Sequence, residues 1–129
     1  MHTVPRVLVV EDHALVAETI RMTLEQNGFE VAVEGDGLNG LARAVQSPFD
    51  LLIVDVDLPL LDGVQLCNRI RDARDHTLPV IMLTGRAHPA DRAAGLEAGA
   101  DIYMTKPFEG GDLIGNVRRL LAMDATTAP

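Results

Sequence analysis

The chain alternates between short runs of consecutive apolar residues and longer segments in which apolar residues recur every three or four positions. Three runs, residues 7–10, 51–54 and 80–83, are apolar throughout. A run that is apolar on both faces is typical of a central strand in a parallel sheet covered by helices on both sides. Residues 29–34 alternate enough to predict an edge strand, and residues 100–104 predict a fifth strand.

The segments between these runs predict five amphipathic helices. In the first, Val16, Ile20 and Leu24 recur at four-residue spacing, and Asn27-Gly28 is a stop signal. The others are predicted at residues 38–47, 63–74, 89–98 and 111–123. The second of the five is expected to present one apolar face, formed by Leu38, Leu41, Ala42 and Val45.

Strands that alternate with helices imply a parallel sheet with right-handed crossovers. The most polar strand belongs at an edge and the three continuous apolar runs belong inside, which predicts the strand order 2-1-3-4-5. The fold class is therefore α/β, a (βα)5 three-layer sandwich with a five-stranded parallel sheet. The 129 residues suit one domain, predicted at 1–123, with 124–129 as a disordered tail or linker stub.

Composition excludes several classes of function. The net charge of −8 argues against direct binding of nucleic acid, because no basic patch is available to neutralise phosphates. No apolar run approaches the roughly 20 residues of a membrane helix, and no signal peptide is evident, so no membrane association is expected. The single cysteine, Cys67, lies on an apolar helix face and is expected to be a packed thiol. These features predict a cytoplasmic protein.

Polar side chains with complementary chemistry follow four of the predicted strands. They are Glu11 and Asp12, Asp55, Thr84, and Lys106. Because the carboxyl ends of parallel strands share one edge of the sheet, these groups are expected to converge there. Three neighbouring carboxylates repel one another unless a cation compensates. Lys106 and a hard divalent ion such as Mg²⁺ are the two candidates.

The same set of groups fits phosphoryl transfer. A hydroxyl and an ammonium that flank a carboxylate stabilise a phosphoryl group during in-line transfer, which depends mainly on positioning and charge neutralisation. Lys106 is the only lysine among 11 basic residues. Its compact charge suits this role.

These motifs together resemble the receiver domains of two-component response regulators, of the chemotaxis-regulator type with a flavodoxin-like fold. The resemblance covers nearly the whole chain, and the order and spacing of its motifs make it specific. The motifs are Val9-Val10-Glu11-Asp12, Asp55 with Pro59 and Gly63, Met82-Leu83-Thr84-Gly85, and the segment from Gly99-Ala100-Asp101 to Lys106-Pro107-Phe108.

The resemblance implies that Asp55 is a phosphoacceptor that attacks a phosphohistidine on a sensor histidine kinase or a histidine phosphotransfer protein. Thr84 would hydrogen-bond one phosphoryl oxygen and Lys106 would pair with another. The chain would then be a phosphorelay signalling domain rather than an enzyme, with at most slow self-dephosphorylation.

The resemblance also implies a Mg²⁺ site. Glu11, Asp12, Asp55 and the backbone carbonyl of Asp57 would hold the ion, with Glu11 acting directly or through water. Carboxylate and carbonyl oxygens are the ligands that Mg²⁺ prefers.

Two further features are implied for signal output. Lys106-Pro107 would be a cis peptide, and Tyr103 would be the switch aromatic that moves inward when Thr84 moves toward phosphate. An unknown downstream protein would bind the face built by the fourth helix, last strand and last helix. In related DNA-binding regulators this face dimerises through charged residues. This chain has Ala94, Ile102 and Asn116 where charge is expected, so a partner protein is favoured over that dimer.

Asp57 and Arg86 are expected to tune the lifetime of the phosphoryl group. Each follows a site residue by two positions, they carry opposite charge, and they come from adjacent strand ends. Arg is well suited to bind a carboxylate, so the two are expected to pair and obstruct water. The alternative is that a free Asp57 orients the attacking water.

Two other functions remain open on the sequence alone. Residues 52–57 also resemble the first motif of haloacid-dehalogenase-like phosphohydrolases, with Asp55 as nucleophile and Asp57 as general acid/base. Those enzymes place an acidic pair after the lysine, whereas Glu11 and Asp12 precede it here. The chain could also be a receiver fragment of a larger regulator or hybrid kinase, although a start at Met1 and a complete last helix favour a stand-alone protein slightly.

Overall fold

The computed structural model describes residues 4–73 and 77–126, and within them five strands alternate with five helices. The strands are β1 (Arg6–Val10), β2 (Glu30–Glu34), β3 (Leu51–Val54), β4 (Val80–Thr84) and β5 (Ile102–Thr105). The helices are α1 (Ala14–Gln26), α2 (Gly37–Gln46), α3 (Gly63–Ala73), α4 (Pro89–Glu97) and α5 (Gly110–Thr126).

The strands form one parallel sheet in the order β2-β1-β3-β4-β5, which confirms the predicted topology. Val10 pairs with Val54, and Thr84 pairs with Thr105. These are the last residues of their strands, so β1 ends level with β3 and β4 ends level with β5. Val54 pairs with Met82, so β4 runs two residues farther than β3 along the same edge of the sheet. Residues that follow the strands therefore meet at this edge.

Alternate residues of the central strands face two separate layers of helices. Leu8 and Val10 belong to a core cluster shared with α2 and α3, whereas Val7 and Val9 pack in a second cluster with α1 and α5. All residues of β3 are buried, which explains why its sequence is apolar on both faces. This is the predicted three-layer sandwich.

Helix α2 differs from its predicted orientation. Leu38 and Val45 are each about half exposed and Ala42 is exposed, so of the predicted face only Leu41 packs against the core. The buried residues of α2 are instead Gly37, Gly40 and Ala44. A Cβ on Gly37 would collide with the backbone carbonyl of Leu61, and one on Gly40 would lie 2.8 Å from the Val10 side chain. Small residues thus let α2 approach the sheet edge closely, and hydrophobic periodicity does not register such an approach.

Several element boundaries also differ from the prediction. Helix α5 extends to Thr126, three residues beyond the expected end, and residues 127–129 of the predicted tail lie outside the described residues. The predicted end of α3 at residue 74 lies outside them as well. Strand β5 begins at Ile102, two residues later than expected. The division between domain and tail stays a prediction.

Two compositional expectations can be compared with the structure. Among the described residues, no helix combines the length and apolar character required to cross a bilayer. Cys67 is fully buried in α3, as expected of a packed thiol, and burial raises the pKa of that thiol to about 11.

Candidate functional site

Three carboxylates meet where β1 and β3 end. Oxygen atoms of Glu11, Asp12 and Asp55 lie within 4.8 Å of one another. Glu11 and Asp55 are only 3% and 7% exposed, whereas Asp12 is exposed. The sheet places them together because β1 and β3 are hydrogen-bonded neighbours.

Local sequence explains how Asp55 is held at this position. Helix α3 begins at Gly63, where an added Cβ would collide with the backbone carbonyl oxygen of Asp55. The preceding residue, Asp62, accepts a hydrogen bond from the backbone N–H of Gln65 at 2.8 Å and so caps the helix. Gly63 then allows α3 to start directly against the strand end.

Lys106 supplies the cation that the three acids require. Its Nζ atom lies 2.8 Å from Oε1 of Glu11 and 3.0 Å from Oδ2 of Asp55. Burial lowers the pKa of the Lys106 ammonium, but its hydrogen bonds to both carboxylates outweigh burial, so the pKa is raised overall. Burial raises the pKa of the Glu11 carboxyl, and the hydrogen bond from Lys106 opposes this only partly. One ammonium thus bridges two largely buried acids.

Thr84 lies at the end of β4 and is fully buried. Its Oγ1 atom accepts a hydrogen bond from the backbone N–H of Arg86 at 3.2 Å, and its carbonyl accepts one from the backbone N–H of Lys106 at 2.7 Å. The Lys106-Pro107 peptide is cis, as the resemblance implied. These backbone contacts tie the hydroxyl and the ammonium to the same corner of the sheet.

Asp57 faces the mouth of the site. Its backbone N–H donates to Oδ1 of Asp55 at 3.1 Å, and its own Oδ1 accepts from Nε and Nη2 of Arg86 at 2.8 and 2.6 Å. Hydrogen bonding to Arg86 lowers the pKa of Asp57. The ion pair expected from the sequence is therefore present, with both side chains about half exposed.

Tyr103 lies on β5 with its ring directed inward. It is 3% exposed, and its hydroxyl donates to the backbone carbonyl of Arg86 at 2.7 Å. Burial raises the pKa of the Tyr103 phenol. Nη1 of Arg92 donates to the Tyr103 carbonyl at 3.1 Å.

Sequence reasoning missed two of these contacts. Neither the role of Arg92 nor the acceptor role of the Arg86 carbonyl was foreseen. The first depends on how α4 packs against β5, and the second on the conformation of the loop between β4 and α4, which carries no periodic signal. Two histidines lie outside the acid cluster. His13 is exposed, and Nδ1 of His88 caps α4 by accepting from the backbone N–H of Ala90 at 3.0 Å. His76 lies outside the described residues.

Comparison with known proteins identifies the family. Residues 7–118 match the model of the response regulator receiver domain. The chain is 49% identical over 115 residues to the transcriptional regulatory protein CseB of Streptomyces coelicolor, a match that covers 89% of this chain and 48% of the relative. It is 42% identical over 126 residues to the transcriptional regulatory protein PrrA of Mycobacterium tuberculosis, covering 98% and 54%. The chain thus spans about half the length of the curated relatives it matches.

Solved structures agree with this assignment. A CheY-like response regulator receiver domain protein from Methanospirillum hungatei superimposes with a TM-score of 0.92 at 28% identity, covering 98% of this chain and 100% of that one. The receiver domain of the sensor histidine kinase PA1611 from Pseudomonas aeruginosa, solved with a magnesium ion coordinated in its active-site cleft, gives 0.87 at 30% identity and covers 93% and 99%.

The family match bears on the phosphohydrolase alternative. Residues 7–118 match the receiver-domain model and the sheet has the order predicted for a receiver, so the phosphohydrolase alternative is not supported. The chain belongs to the response regulator receiver domain family of two-component systems.

Proposed function

We propose that Asp55 accepts a phosphoryl group from a phosphohistidine on a sensor histidine kinase or a histidine phosphotransfer protein. The observation that carries this proposal is the way the Asp55 carboxylate is held. One oxygen accepts from the backbone N–H of Asp57 and the other from Lys106, so the group is fixed in place within the sheet edge. In the reaction an Asp55 oxygen bonds to phosphorus while the phosphorus–nitrogen bond breaks, and its electron pair returns to the imidazole. The cytoplasmic location predicted from the sequence is part of this proposal.

The oxygen ligands present fit Mg²⁺. Glu11, Asp12 and Asp55 offer three carboxylate oxygens close together, and hard cations prefer such donors. The backbone carbonyl of Asp57 would complete the set of protein ligands. A bound ion supplies positive charge that Lys106 alone does not provide when a phosphoryl group joins three carboxylates. The magnesium site in the Pseudomonas receiver supports this assignment by similarity.

Thr84 and Lys106 would stabilise the transferred group. Oγ1 of Thr84 accepts from the backbone N–H of Arg86, and a hydroxyl that accepts one hydrogen bond can still donate its own proton, here toward a phosphoryl oxygen. Lys106 already lies 3.0 Å from Asp55 and is placed to hold another oxygen. Both groups act by positioning and charge, which is what phosphoryl transfer chiefly requires.

The phosphorylated domain would transmit its signal by binding a partner at the face formed by α4, β5 and α5. Tyr103 is the proposed switch residue at this face, and a downstream protein is the proposed partner. Ile102 and Asn116, where charge was expected, are half-buried, and Nδ2 of Asn116 donates to Sδ of Met104 at 3.2 Å. A surface of this kind favours a partner protein over a dimer held by ion pairs.

Asp57 and Arg86 would set how long the phosphoryl group survives. Their hydrogen-bonded pair lies at the solvent side of Asp55, with Asp57 two residues beyond it. Water must approach phosphorus in line to hydrolyse an aspartyl phosphate. A paired Arg86 obstructs that approach, and it also keeps the Asp57 carboxylate from orienting a water molecule.

A phosphate mimic tests the assignment of Asp55. Beryllofluoride with Mg²⁺ should raise the melting temperature of the wild-type domain, because a ligand that binds only the folded state stabilises it. Asp55→Asn should abolish the increase, and omission of Mg²⁺ should reduce it. An equal increase in Asp55→Asn would refute the assignment.

A further inference from the structure

Arg86 links three groups that surround the site, through both its backbone and its side chain. Its backbone N–H donates to Oγ1 of Thr84 at 3.2 Å, and its backbone carbonyl accepts from the Tyr103 hydroxyl at 2.7 Å. Its guanidinium donates twice to Oδ1 of Asp57. One residue of the loop between β4 and α4 therefore contacts both the hydroxyl at the site and the buried tyrosine.

The Tyr103 ring occupies a closely fitting space beneath α4. A Cβ on Gly95 would lie 2.8 Å from Cδ1 of Tyr103 and 2.8 Å from Sδ of Met82. The ring fills space that a larger residue at position 95 would need. Its hydroxyl is tied to the Arg86 carbonyl, and a buried hydroxyl that loses its partner carries a desolvation penalty. The inward ring therefore depends on where that carbonyl lies.

The position of the Arg86 carbonyl depends in turn on a surface loop with few anchors. Residues 85–88 are all exposed, and a Cβ on Gly85 would have no heavy atom within 4 Å. The Arg86 guanidinium forms its shortest ion pair with Asp57, which follows the neighbouring strand, at 2.6 Å. Its distance to the Asp91 carboxylate is longer, at 3.8 Å. Loops without buried apolar anchors open readily, so the ion pair with Asp57 and the backbone hydrogen bond to Thr84 are the contacts that hold this loop.

We propose that Arg86 is a positioning residue whose ion pair with Asp57 holds the β4–α4 loop where its carbonyl keeps Tyr103 inward, without any phosphate present. The unphosphorylated domain is thereby biased toward the inward tyrosine. The significance of this bias for signalling rests on the proposed switch role of Tyr103, whereas the positioning itself does not.

Arg92 also contacts Tyr103, and this contact is the alternative explanation for the inward position of the ring. It donates to the Tyr103 backbone carbonyl, and its guanidinium carbon lies 5.8 Å from the ring centroid. Neither contact involves the hydroxyl. If packing and Arg92 alone kept the ring inward, loss of the Arg86 side chain would leave Tyr103 unchanged.

The composition of the chain allows the exposure of the Tyr103 ring to be measured directly. Tyr103 is the only tyrosine and there is no tryptophan, so intrinsic fluorescence excited near the tyrosine absorbance maximum reports this ring alone. Acrylamide quenching should be weak in the wild-type domain without Mg²⁺ or phosphate. Arg86→Ala and Asp57→Ala should each increase quenching, with the outward-to-inward ratio rising by up to about fivefold, the upper range for an exposed ion pair.

Three further variants make the experiment specific. Arg86→Lys keeps a cation that reaches Asp57 and should restore most of the protection. The double variant Arg86→Ala/Asp57→Ala should be no more quenched than either single variant, because both remove the same contact. Arg21→Ala, which breaks ion pairs confined to α1, is the matched control and should behave as wild type.

Circular dichroism verifies that each variant is folded before quenching is compared. Wild-type quenching in Arg86→Ala would overturn the proposal. So would an increase in Arg86→Ala that Asp57→Ala does not share, since the ion pair would then not be the cause. Because phosphate is absent throughout, these outcomes do not depend on whether Asp55 is the phosphoacceptor.

Discussion

The Nζ atom of Lys106 lies 2.8 Å from Oε1 of Glu11, although 95 positions separate the two residues in the chain. Two strands, β3 and β4, lie between β1 and β5 in the sheet, so the lysine side chain extends back across the strand ends. Glu11 is almost fully buried, and burial raises the pKa of its carboxyl. A buried pair of carboxylates is tolerated here because Lys106 compensates their charge.

Lys106→Ala should therefore destabilise the domain. Loss of the ammonium leaves Glu11 and Asp55 facing each other without a cation, and we expect the free energy of unfolding at neutral pH to fall by about 1–3 kcal/mol. Added Mg²⁺ should restore part of the loss, since it supplies charge to the same carboxylates. Urea denaturation with and without Mg²⁺ measures both effects.

Arg118→Ala is the control for this experiment. Arg118 is an exposed basic residue of α5, and its Nη2 donates a long hydrogen bond of 3.4 Å to the amide oxygen of Asn27. The free energy of unfolding of the Arg118→Ala variant should differ little from that of the wild-type domain. If Lys106→Ala were as stable as Arg118→Ala, the lysine would not be the compensating cation.

The Asp57–Arg86 pair should lengthen the life of the phosphorylated state. Asp57→Ala and Arg86→Ala both open the approach to Asp55, and Arg86→Ala also frees the Asp57 carboxylate to orient water. We expect faster loss of phosphate in both variants, with Arg86→Ala the faster of the two. The decay of the phosphorylated protein, followed by phosphate-affinity electrophoresis, gives the rates. Slower decay in Asp57→Ala would show that this acid assists hydrolysis, and the proposed obstruction by the pair would be abandoned.

Cys67 should be unreactive in the folded domain. Burial raises the pKa of this thiol to about 11, so the reactive thiolate is scarce at pH 8 and the sulfur is inaccessible. A thiol reagent such as dithiobis-nitrobenzoate should modify the native protein slowly and the urea-unfolded protein completely. Equal rates in the two states would mean that α3 does not shield its thiol.

Activation should not drive dimerisation through the α4-β5-α5 face. Ile102 and Asn116 offer no ion pair, and Asn116 is already engaged with Met104 and with Arg119, whose Nη2 donates to its Oδ1 at 2.9 Å. Sedimentation equilibrium with Mg²⁺ and beryllofluoride should show a monomer at micromolar concentration. A tight dimer that a substitution at Ile102 disrupts would contradict this expectation.

The strand order and the converging site were predictable because both follow from strand pattern and topology. Continuous apolar runs identify buried parallel strands, and the residues that follow such strands share one edge. Asp55, Thr84 and Lys106 were placed correctly for this reason. The opposite charges of Asp57 and Arg86 were sufficient to predict their contact, since they come from neighbouring strand ends.

The orientation of α2 was not predictable in the same way. Its apolar residues suggest one buried face, but Gly37 and Gly40 pack closely against Leu61 and Val10 and so determine the inward side. A glycine in close contact contributes almost nothing to a hydrophobic pattern. The contact between Tyr103 and the Arg86 carbonyl was missed because it depends on loop conformation rather than residue type.

Mass spectrometry of the domain after incubation with acetyl phosphate and Mg²⁺ tests the central claim most directly. One phosphoryl group should be found on the peptide that carries Asp55, and it should be lost in alkaline solution, as expected of an acyl phosphate. Asp55→Asn should remain unmodified, whereas Asp57→Asn, the matched control two residues away, should still be phosphorylated at Asp55. Phosphorylation of Asp55→Asn to the wild-type extent, or modification located at another residue, would contradict the assignment of Asp55 as the phosphoacceptor.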